Sequence, residues 1–347
     1  MLYWVLKHII QLGLHCYHRK IQVYGLENIP KNKPVLFLPN HQNALIDVLL
    51  IAVDCNRKPY FLTRSDVFGG SMLDALFKYV RMIPIYRIRD GRSTLAKNDV
   101  VFDNCAKVLG QGEAIVMFPE GNHSLKRRVR PLSKGFTRVL FRTAELYPEL
   151  EIQIIPVGVN YSNAQKFPSS AAVYFGEPIS FQKQYDKENL AQSVVRIRKM
   201  VAMSLKTLTT HISSEEDYAE NVTYLEAQNV DFLNPVHCNR LLKEKVTLAN
   251  PVRDESKPVI NRASIFQVMF SVLNLPVLLV WRFVVKPKVP EPEFMGTFRF
   301  ATMFAGFFFY AGFLFFLLWM TLNVWWATGS LCLLWIYNIC YLKYLAI

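Results

Sequence analysis

The segment NHQNALID, residues 40–47, holds a histidine and a carboxylate with five residues between them. His41 follows the apolar run 34–38, which predicts a buried strand, and Asp47 lies early in a predicted helix, 44–53. A histidine becomes an effective general base when its second ring nitrogen donates to a carboxylate, because that contact fixes the tautomer and stabilises the imidazolium. No serine or cysteine nucleophile stands out nearby, so such a base would deprotonate an exogenous hydroxyl. The alternative is a structural histidine satisfied in the core.

Two further strand ends carry cationic residues. The segment FPEGNHS, residues 118–124, follows the apolar run 114–118 and leads into six cations within thirteen residues, Lys126, Arg127, Arg128, Arg130, Lys134 and Arg138. The segment IPIYRIRD, residues 83–90, brings Arg87 and Arg89 to the end of another predicted strand. Charged nitrogen groups suit phosphate. Because sites in α/β proteins gather at strand ends, the pattern favours an anion site over a solvated basic face.

The elements that would position these residues alternate along the chain. Strands are predicted at 21–24, 34–38, 59–63, 82–86, 114–118, 152–159 and 172–175, and helices at 44–53, 74–80, 94–109 and 135–147. This alternation predicts an α/β fold over residues 21–182, a layered mixed sheet flanked by helices. The apolar segment IIPVGV, residues 154–159, would help to wall its pocket. Residues 183–263 are predicted as an extension, helical around 187–208 and loop-rich beyond.

The C-terminal part of the chain is strongly apolar. Residues 300–342 contain no Asp, Glu, Lys or Arg, and one bilayer crossing needs about 20 residues. A helical hairpin with its turn in 323–330 is predicted, and the weaker stretch 264–285 would give a membrane segment, 264–347, of two or three helices. Residues 1–20 are predicted as an amphipathic helix at the membrane interface. The alternatives are a buried soluble hairpin and an ordinary packing helix.

The charge distribution is uneven. The net charge is +13, and residues 1–150 carry 22 Lys and Arg against 12 Asp and Glu. Such an excess implies an anionic partner: nucleic acid, a phosphorylated metabolite or an acidic membrane surface. Nucleic acid is disfavoured, because the cations follow apolar strands without interleaved aromatic residues. The six cysteines lack zinc-site spacing, which indicates reduced thiols in the cytosol.

The order NHQNALID, IPIYR, FPEGNHS and IIPVGV resembles the four sequence blocks of the glycerolipid acyltransferase family, which includes 1-acylglycerol-3-phosphate and glycerol-3-phosphate acyltransferases. The likeness covers residues 25–178, and GLENIP at 25–30 also fits. The resemblance implies transfer of an acyl chain from acyl-CoA or acyl-carrier protein to a lipid hydroxyl. His41 would be the general base and Asp47 its orienting partner.

The resemblance and the cationic strand ends together give the remaining site residues. Arg87 would bind the acceptor phosphate, and the other substrate-binding candidates are Arg89, Glu120, Gly121, Lys126, Arg127 and Arg128. Asn40, Pro119 and Pro156 would line the pocket. Two departures stand out: the family more often has four residues between the histidine and the aspartate, and His123 replaces its usual arginine. We expect Lys126, Arg127 or Arg128 to substitute for that arginine. The chemistry implies neither a metal nor another cofactor.

The sequence therefore predicts an integral membrane 1-acylglycerol-3-phosphate O-acyltransferase whose catalytic domain faces the cytoplasm. Its partners would be membrane phospholipid, a lysophospholipid acceptor and the acyl donor. The runner-up is a glycerol-3-phosphate acyltransferase or an O-acyltransferase of lyso-aminoacyl lipids. A thioesterase would use His41 to activate water but would leave the cations without a purpose. A non-enzymatic, membrane-anchored binding protein would use only the basic face.

Overall fold

The computed structural model describes residues 2–86, 97–247 and 265–345. Its centre, among those residues, is an eight-stranded sheet in the order β1-β7-β6-β2-β5-β3-β4, with β8 also paired to β6. The strands are β1 (Ile21–Tyr24), β2 (Val35–Pro39), β3 (Tyr60–Arg64), β4 (Met82–Ile85), β5 (Ala114–Val116), β6 (Gln153–Tyr161), β7 (Ala171–Phe175) and β8 (Ile179–Ser180). The prediction of a mixed α/β sheet flanked by helices is confirmed, and β8 is an addition to it.

Five neighbouring strands of the sheet run parallel. β2 pairs in parallel with β5 and β6, and β3 with β4 and β5. β7 and β8 are antiparallel to β6, and β1 is parallel to β7. The carboxyl ends of β2, β3, β4, β5 and β6 therefore meet at one edge, where ligands of open parallel sheets usually bind.

The helices cover both faces of the sheet and extend beyond it. They are α1 (Leu2–Tyr17), α2 (Ala44–Asp54), α3 (Ser71–Tyr79), α4 (Lys97–Gly110), α5 (Gly135–Leu146), α6 (Leu190–Leu208), α7 (Tyr218–Ala227), α8 (Pro235–Thr247), α9 (Ile265–Leu273), α10 (Leu275–Leu279), α11 (Met295–Thr321) and α12 (Val324–Cys340). The prediction of a loop-rich region after residue 208 is wrong at α7 and α8. In α7 only Leu225 is buried, so the helix has little apolar periodicity to reveal it.

Two apolar layers sandwich the sheet. Successive residues of β2 alternate between them, since Leu36 joins one layer and Phe37 the other. The layer around Phe37 includes residues of α1, α2 and α11, among them Phe300. The layer around Leu36 includes residues of α4, α5 and α6, among them Val201. Each fully buried side chain of this kind contributes about 1.5–3 kcal/mol.

The predicted C-terminal hairpin is present as the packed pair α11 and α12. Asn323 begins α12 by accepting hydrogen bonds from the main-chain N–H groups of Trp325 and Trp326, both at 3.0 Å. Among the described residues, one helical segment, Pro292–Thr321, is long and apolar enough to cross a membrane, with a mean hydropathy of 2.0. A second candidate, Ile265–Leu273 with Leu275–Lys288, is bent by 86°. The 17 residues of α12 extend about 26 Å, less than a bilayer core of about 30 Å.

The C-terminal helices pack directly on the α/β layers. A Cβ on Gly13 of α1 would lie 2.5 Å from the ring of Phe304, so glycine permits the close approach of α11. Lys343 donates to the carbonyls of His15 and His18 at 2.8 and 2.9 Å. This ammonium group caps the C-terminal end of α1, where a cation is favoured.

Candidate active site

His41 and Asp47 form a hydrogen-bonded pair at the carboxyl edge of the sheet. Nδ1 of His41 lies 2.8 Å from Oδ2 of Asp47, and the side chains are 14% and 0% exposed. With the carboxylate ionised, Nδ1 carries the proton and Nε2 is left as the basic atom. The imidazole also stacks on the ring of Phe118, with ring centroids 3.9 Å apart. The pair therefore has a fixed tautomer, a fixed ring plane and access from solvent.

Every described contact of the Asp47 carboxylate comes from a donor. Oδ2 also accepts the main-chain N–H groups of Gln42 and Asn43, each at 2.8 Å. Oδ1 accepts the hydroxyl of Tyr161 at 2.5 Å. A buried charge is tolerated only when its lone pairs are satisfied in this way. Burial, with the Asp47 charge next in size, raises the pKa of Tyr161 well above its ordinary value, so the phenol remains a donor.

The five-residue spacing of the pair is accommodated in the turn that begins α2. Ala44 adopts a φ of +33°, in the left-handed region that L-residues seldom occupy. Asp47, one turn into α2, reaches back to the N–H groups that precede the helix. The carboxylate is thus both the partner of His41 and an N-terminal cap of α2, where negative charge is favoured.

A second histidine stands beside His41. The rings of His41 and His123 are edge to face, with centroids 5.6 Å apart. Nε2 of His123 lies 2.6 Å from Oε2 of Glu291, just before the short helical turn Pro292–Phe294 that leads into α11. His123, Glu291 and Glu293 place one potential ligand atom each within 4.8 Å of one another, a set that could hold a cation. The C-terminal region therefore reaches the site itself.

α11 also touches the turn that carries the pair. The main-chain N–H of Leu45 donates to the hydroxyl of Thr297 at 3.2 Å. A Cβ on Gly296 would lie 2.5 Å from Oδ1 of Asn43, so only glycine permits this contact. The first turn of α11 is consequently part of the wall around His41.

Glu120 is buried next to the pair and bonded to Arg130. Nε of Arg130 donates to Oε2 of Glu120 at 2.8 Å. Burial raises the pKa of Glu120 above its ordinary value, while Arg130 opposes that shift and Asp47 adds to it. The predicted substrate-binding carboxylate is therefore engaged with a cation of the same basic segment, and it holds that segment against the site.

Lys126 and Arg128 are the two predicted cations that the structure brings to His41. Both pair with Glu215, at 3.0 Å each. They line a small cavity of about 10 Å³ together with His41 and Glu120. Because Glu215 is largely exposed, these cations stay near water and can exchange that partner for an anion.

Arg127 has a different place from the one predicted. Its guanidinium donates to the carbonyls of Tyr161 and Ser162 at 2.9 and 2.8 Å and lies 3.8 Å from the ring centre of Phe232. These contacts tie the basic segment to the end of β6. We assign Arg127 a structural role in place of the predicted substrate contact, because its donors are engaged by main-chain carbonyls.

The predicted pocket residues serve mainly to join strands. The amide of Asn40 bridges β2 to β6 through both groups of Val159, donating at 3.0 Å and accepting at 2.7 Å. Pro156 is buried within β6 opposite Leu38, so it lies under the site and does not line an open pocket. Pro119 is buried and accepts a hydrogen bond from Ser133 through its carbonyl.

Three predicted residues remain, Gly121, Arg87 and Arg89. Gly121 has a φ of +72°, which the turn after β5 requires. Nearby, the N–H of Ser124 donates to the carbonyl of His41 at 2.9 Å and joins the segments that follow β5 and β2. Arg87 and Arg89 lie outside the described residues.

Tyr161 and Glu291 were not predicted from the sequence. Tyr161 closes an apolar strand whose pattern marks it as core, and only its position opposite Asp47 distinguishes it. Glu291 is 168 residues from His123 along the chain, so no local spacing connects them. The strand order would have been needed to find the first contact, and the packing of the C-terminal helices on the sheet to find the second.

Comparison with known proteins matches this chain to acyltransferases. Residues 20–160 match the family model described as Acyltransferase. Glycerol-3-phosphate O-acyltransferase 1 of Saccharomyces cerevisiae is 26% identical over 165 residues, which are 46% of this chain and 20% of that protein. A chloroplastic 1-acyl-sn-glycerol-3-phosphate acyltransferase of Brassica napus is 25% identical over 140 residues, 40% of this chain and 38% of that protein.

A solved structure is also similar. The 1-acyl-sn-glycerophosphate acyltransferase PlsC from Thermotoga maritima aligns with a TM-score of 0.41 and 20% identity, over 58% of this chain and 80% of that one. The present chain spans less than two fifths of the length of the two curated relatives above.

Residues 20–160 of this chain are therefore similar to the acyltransferase family. Its named relatives are glycerolipid acyltransferases, and their names divide between glycerol-3-phosphate and 1-acylglycerol-3-phosphate as acceptor.

Proposed function

We propose that this protein transfers an acyl chain from a thioester donor to the free hydroxyl of 1-acylglycerol-3-phosphate, with His41 as the general base. The observation that carries the proposal is the 2.8 Å contact between His41 and the buried Asp47, which leaves Nε2 basic and accessible. Nearby Lys126 and Arg128 suit the acceptor phosphate.

The reaction follows from this arrangement. Nε2 of His41 takes the proton of the acceptor hydroxyl as its oxygen attacks the thioester carbonyl carbon. Asp47 stabilises the imidazolium that forms and keeps its orientation. Collapse of the tetrahedral intermediate breaks the carbon–sulfur bond, and the leaving thiolate takes the proton from His41. Because the thioester is already activated, no acyl-enzyme is needed.

The acceptor is proposed from the contacts of α11. The segment Pro292–Thr321 is exposed, apolar and long enough to span a bilayer, and its first turns contact the His41 turn. If α11 enters a membrane, that surface lies close to His41, and an acceptor that resides in the bilayer reaches the base directly. This favours an acceptor that already carries one acyl chain. Glycerol-3-phosphate is the second candidate, because relatives named for it match the chain.

A single set of assays tests the proposal. The purified chain is given acyl-CoA or acyl-carrier protein with lysophosphatidate, glycerol-3-phosphate or a lyso-ornithine lipid, and thiol release is followed with and without acceptor. We expect release to require lysophosphatidate and to be slowed by about 10²–10⁴-fold in His41→Gln. Release without any acceptor would indicate a thioesterase. A preference for the lyso-ornithine lipid would contradict the phosphate assignment.

A further inference from the structure

A second, larger cavity lies next to the site, and of the residues that line it the reaction described above uses Arg128 alone. Its volume is about 440 Å³, and it opens between residues 128–132 and α6. Its lining includes six nitrogen-bearing side chains and, among the described residues, no acidic one. The six are Arg128, Arg130, Arg198, Lys199, Lys206 and His211. A concave surface of this composition suits a ligand that carries several phosphate charges.

The cations of this cavity differ in whether they already form ion pairs with acidic side chains. Arg128 and Arg130 pair with Glu215 and Glu120. Lys199 and Lys206 are exposed and form no ion pair with a described residue. They lie seven residues apart on α6, which places them on one helix face. An arriving anion would therefore meet two uncompensated charges.

His211 adds a neutral donor to the cavity. Its Nδ1 accepts the main-chain N–H of Val129 at 3.0 Å, so the proton of the neutral ring is on Nε2. Burial, together with the charges of Lys206 and Arg128, lowers the pKa of His211 to about 4. The ring thus lies in a positive field that a bound anion would offset.

The position of the cavity indicates where its ligand comes from. Arg128 and Val129 line both this cavity and the small one at His41. Yet α6 covers the sheet face of Leu36, whereas α1 and α11 cover the opposite face. The cavity is therefore next to the base but on the face away from the apolar helices, which suits a water-soluble ligand better than a lipid headgroup.

We propose that this cavity binds the phosphate-bearing nucleotide end of a coenzyme A thioester, which makes acyl-CoA the donor of the proposed acyl transfer. The inference rests on that proposed function. The pantetheine arm separates the thioester from the nucleotide, so a nucleotide site beside the base, and not at it, suits such a donor. The volume lies within the range of small-molecule sites. A carrier protein would instead need a broad interface of about 1,000 Å² or more.

The first test measures binding without turnover. Adenosine 3′,5′-bisphosphate is titrated calorimetrically into the wild-type chain, the Lys199→Ala/Lys206→Ala variant and a matched control, Lys183→Ala/Lys187→Ala. The control removes the same charge from exposed lysines that do not line the cavity. We expect at least a tenfold loss of affinity in the first variant alone. Equal affinity in all three proteins would overturn the proposal.

The second test separates the nucleotide from the acyl chain. The ratio of kcat/KM for acyl-CoA to that for acyl-pantetheine, which lacks the nucleotide, should fall at least tenfold in Lys199→Ala/Lys206→Ala. An unchanged ratio would contradict the assignment. So would a KM effect confined to acyl-carrier protein, which would make the cavity a protein-docking face.

The two proposals can fail separately. The bisphosphate could bind in a way that depends on Lys199 and Lys206 while no donor supports acyl transfer. That result would support the cavity assignment and refute the proposed function. Acyl transfer by the wild-type chain, together with a bisphosphate affinity that does not change in Lys199→Ala/Lys206→Ala, would support the function and refute the cavity assignment.

Discussion

Tyr161 donates a 2.5 Å hydrogen bond to Oδ1 of Asp47, the carboxylate oxygen that His41 does not use. The Tyr161 side chain is buried at the end of β6, and the turn that holds His41 follows β2, its neighbour in the sheet. The orientation of the proposed base therefore depends on the register of two strands, through a residue that never meets the substrate.

Tyr161→Phe tests this positioning role. The loss of a hydrogen bond to a charged group should destabilise the fold by about 1.5–3 kcal/mol, measured by chemical denaturation. The Asp47 carboxylate would then be held less firmly against His41, so kcat should fall while the KM for the acceptor changes little. A variant with lower stability but an unchanged kcat would mean that Tyr161 only fills space.

His41→Gln should lower kcat by about 10²–10⁴-fold, the usual contribution of a general base. The side chain is partly accessible, so the thermal transition should change little. Asp47→Asn should also impair turnover, but with a clear loss of stability, because four donors lose their charged acceptor. Wild-type turnover in His41→Gln would refute the mechanism.

Arg130→Gln tests the buried carboxylate of Glu120. Without its cation, Glu120 is desolvated and unpaired, and we expect a loss of about 2–3 kcal/mol at neutral pH, below the full cost for a buried pair because Arg130 is partly exposed. Burial already raises the pKa of Glu120. The folded variant therefore binds a proton more readily than the unfolded one, and its deficit should shrink as the pH falls. Glu120→Gln/Arg130→Gln should recover most of the loss; no recovery would place the defect elsewhere.

Gly296→Ala should separate α11 from the site. The added Cβ would lie 2.5 Å from Asn43, and overpacking of this kind costs about 1–3 kcal/mol. We expect reduced turnover and a lower melting temperature. Gly312→Ala on the same helix is the matched control, because no atom lies within 4 Å of its Cβ position. Equal effects of the two changes would show that the contact at Asn43 is unimportant.

Phe309→Lys tests whether α11 enters a bilayer. Phe309 is 81% exposed near the middle of α11, so the change removes little packing within the protein. A lysine at the centre of a spanning helix costs about 2.5–3.5 kcal/mol. We expect weaker resistance to alkaline extraction from membranes, with Phe309→Leu behaving like the wild type. Full retention of Phe309→Lys after extraction would argue against a spanning α11.

The local sequence pattern was sufficient to predict the main strands of the sheet and the His41–Asp47 pair. Buried strands show as short apolar runs, and the pair is only six positions apart. It was insufficient for contacts that depend on strand order, such as Tyr161 with Asp47 at a separation of 114 residues. A run of basic residues in the sequence also does not show which of them form contacts within the folded protein. Arg127 binds main-chain carbonyls, whereas its neighbour Arg128 pairs with the exposed Glu215.

The cap that Lys343 places on α1 has a consequence for biosynthesis. α1 leaves the ribosome long before its capping residue, which follows 325 residues after His18. At about 5–20 residues per second, the interval is roughly 16–65 s. For most of that time Leu14 and Tyr17, which later join Phe300 in the core, lack a native partner from α11. The nascent chain therefore needs a surrogate for that apolar surface, such as a chaperone or a lipid interface, until α11 has been synthesised.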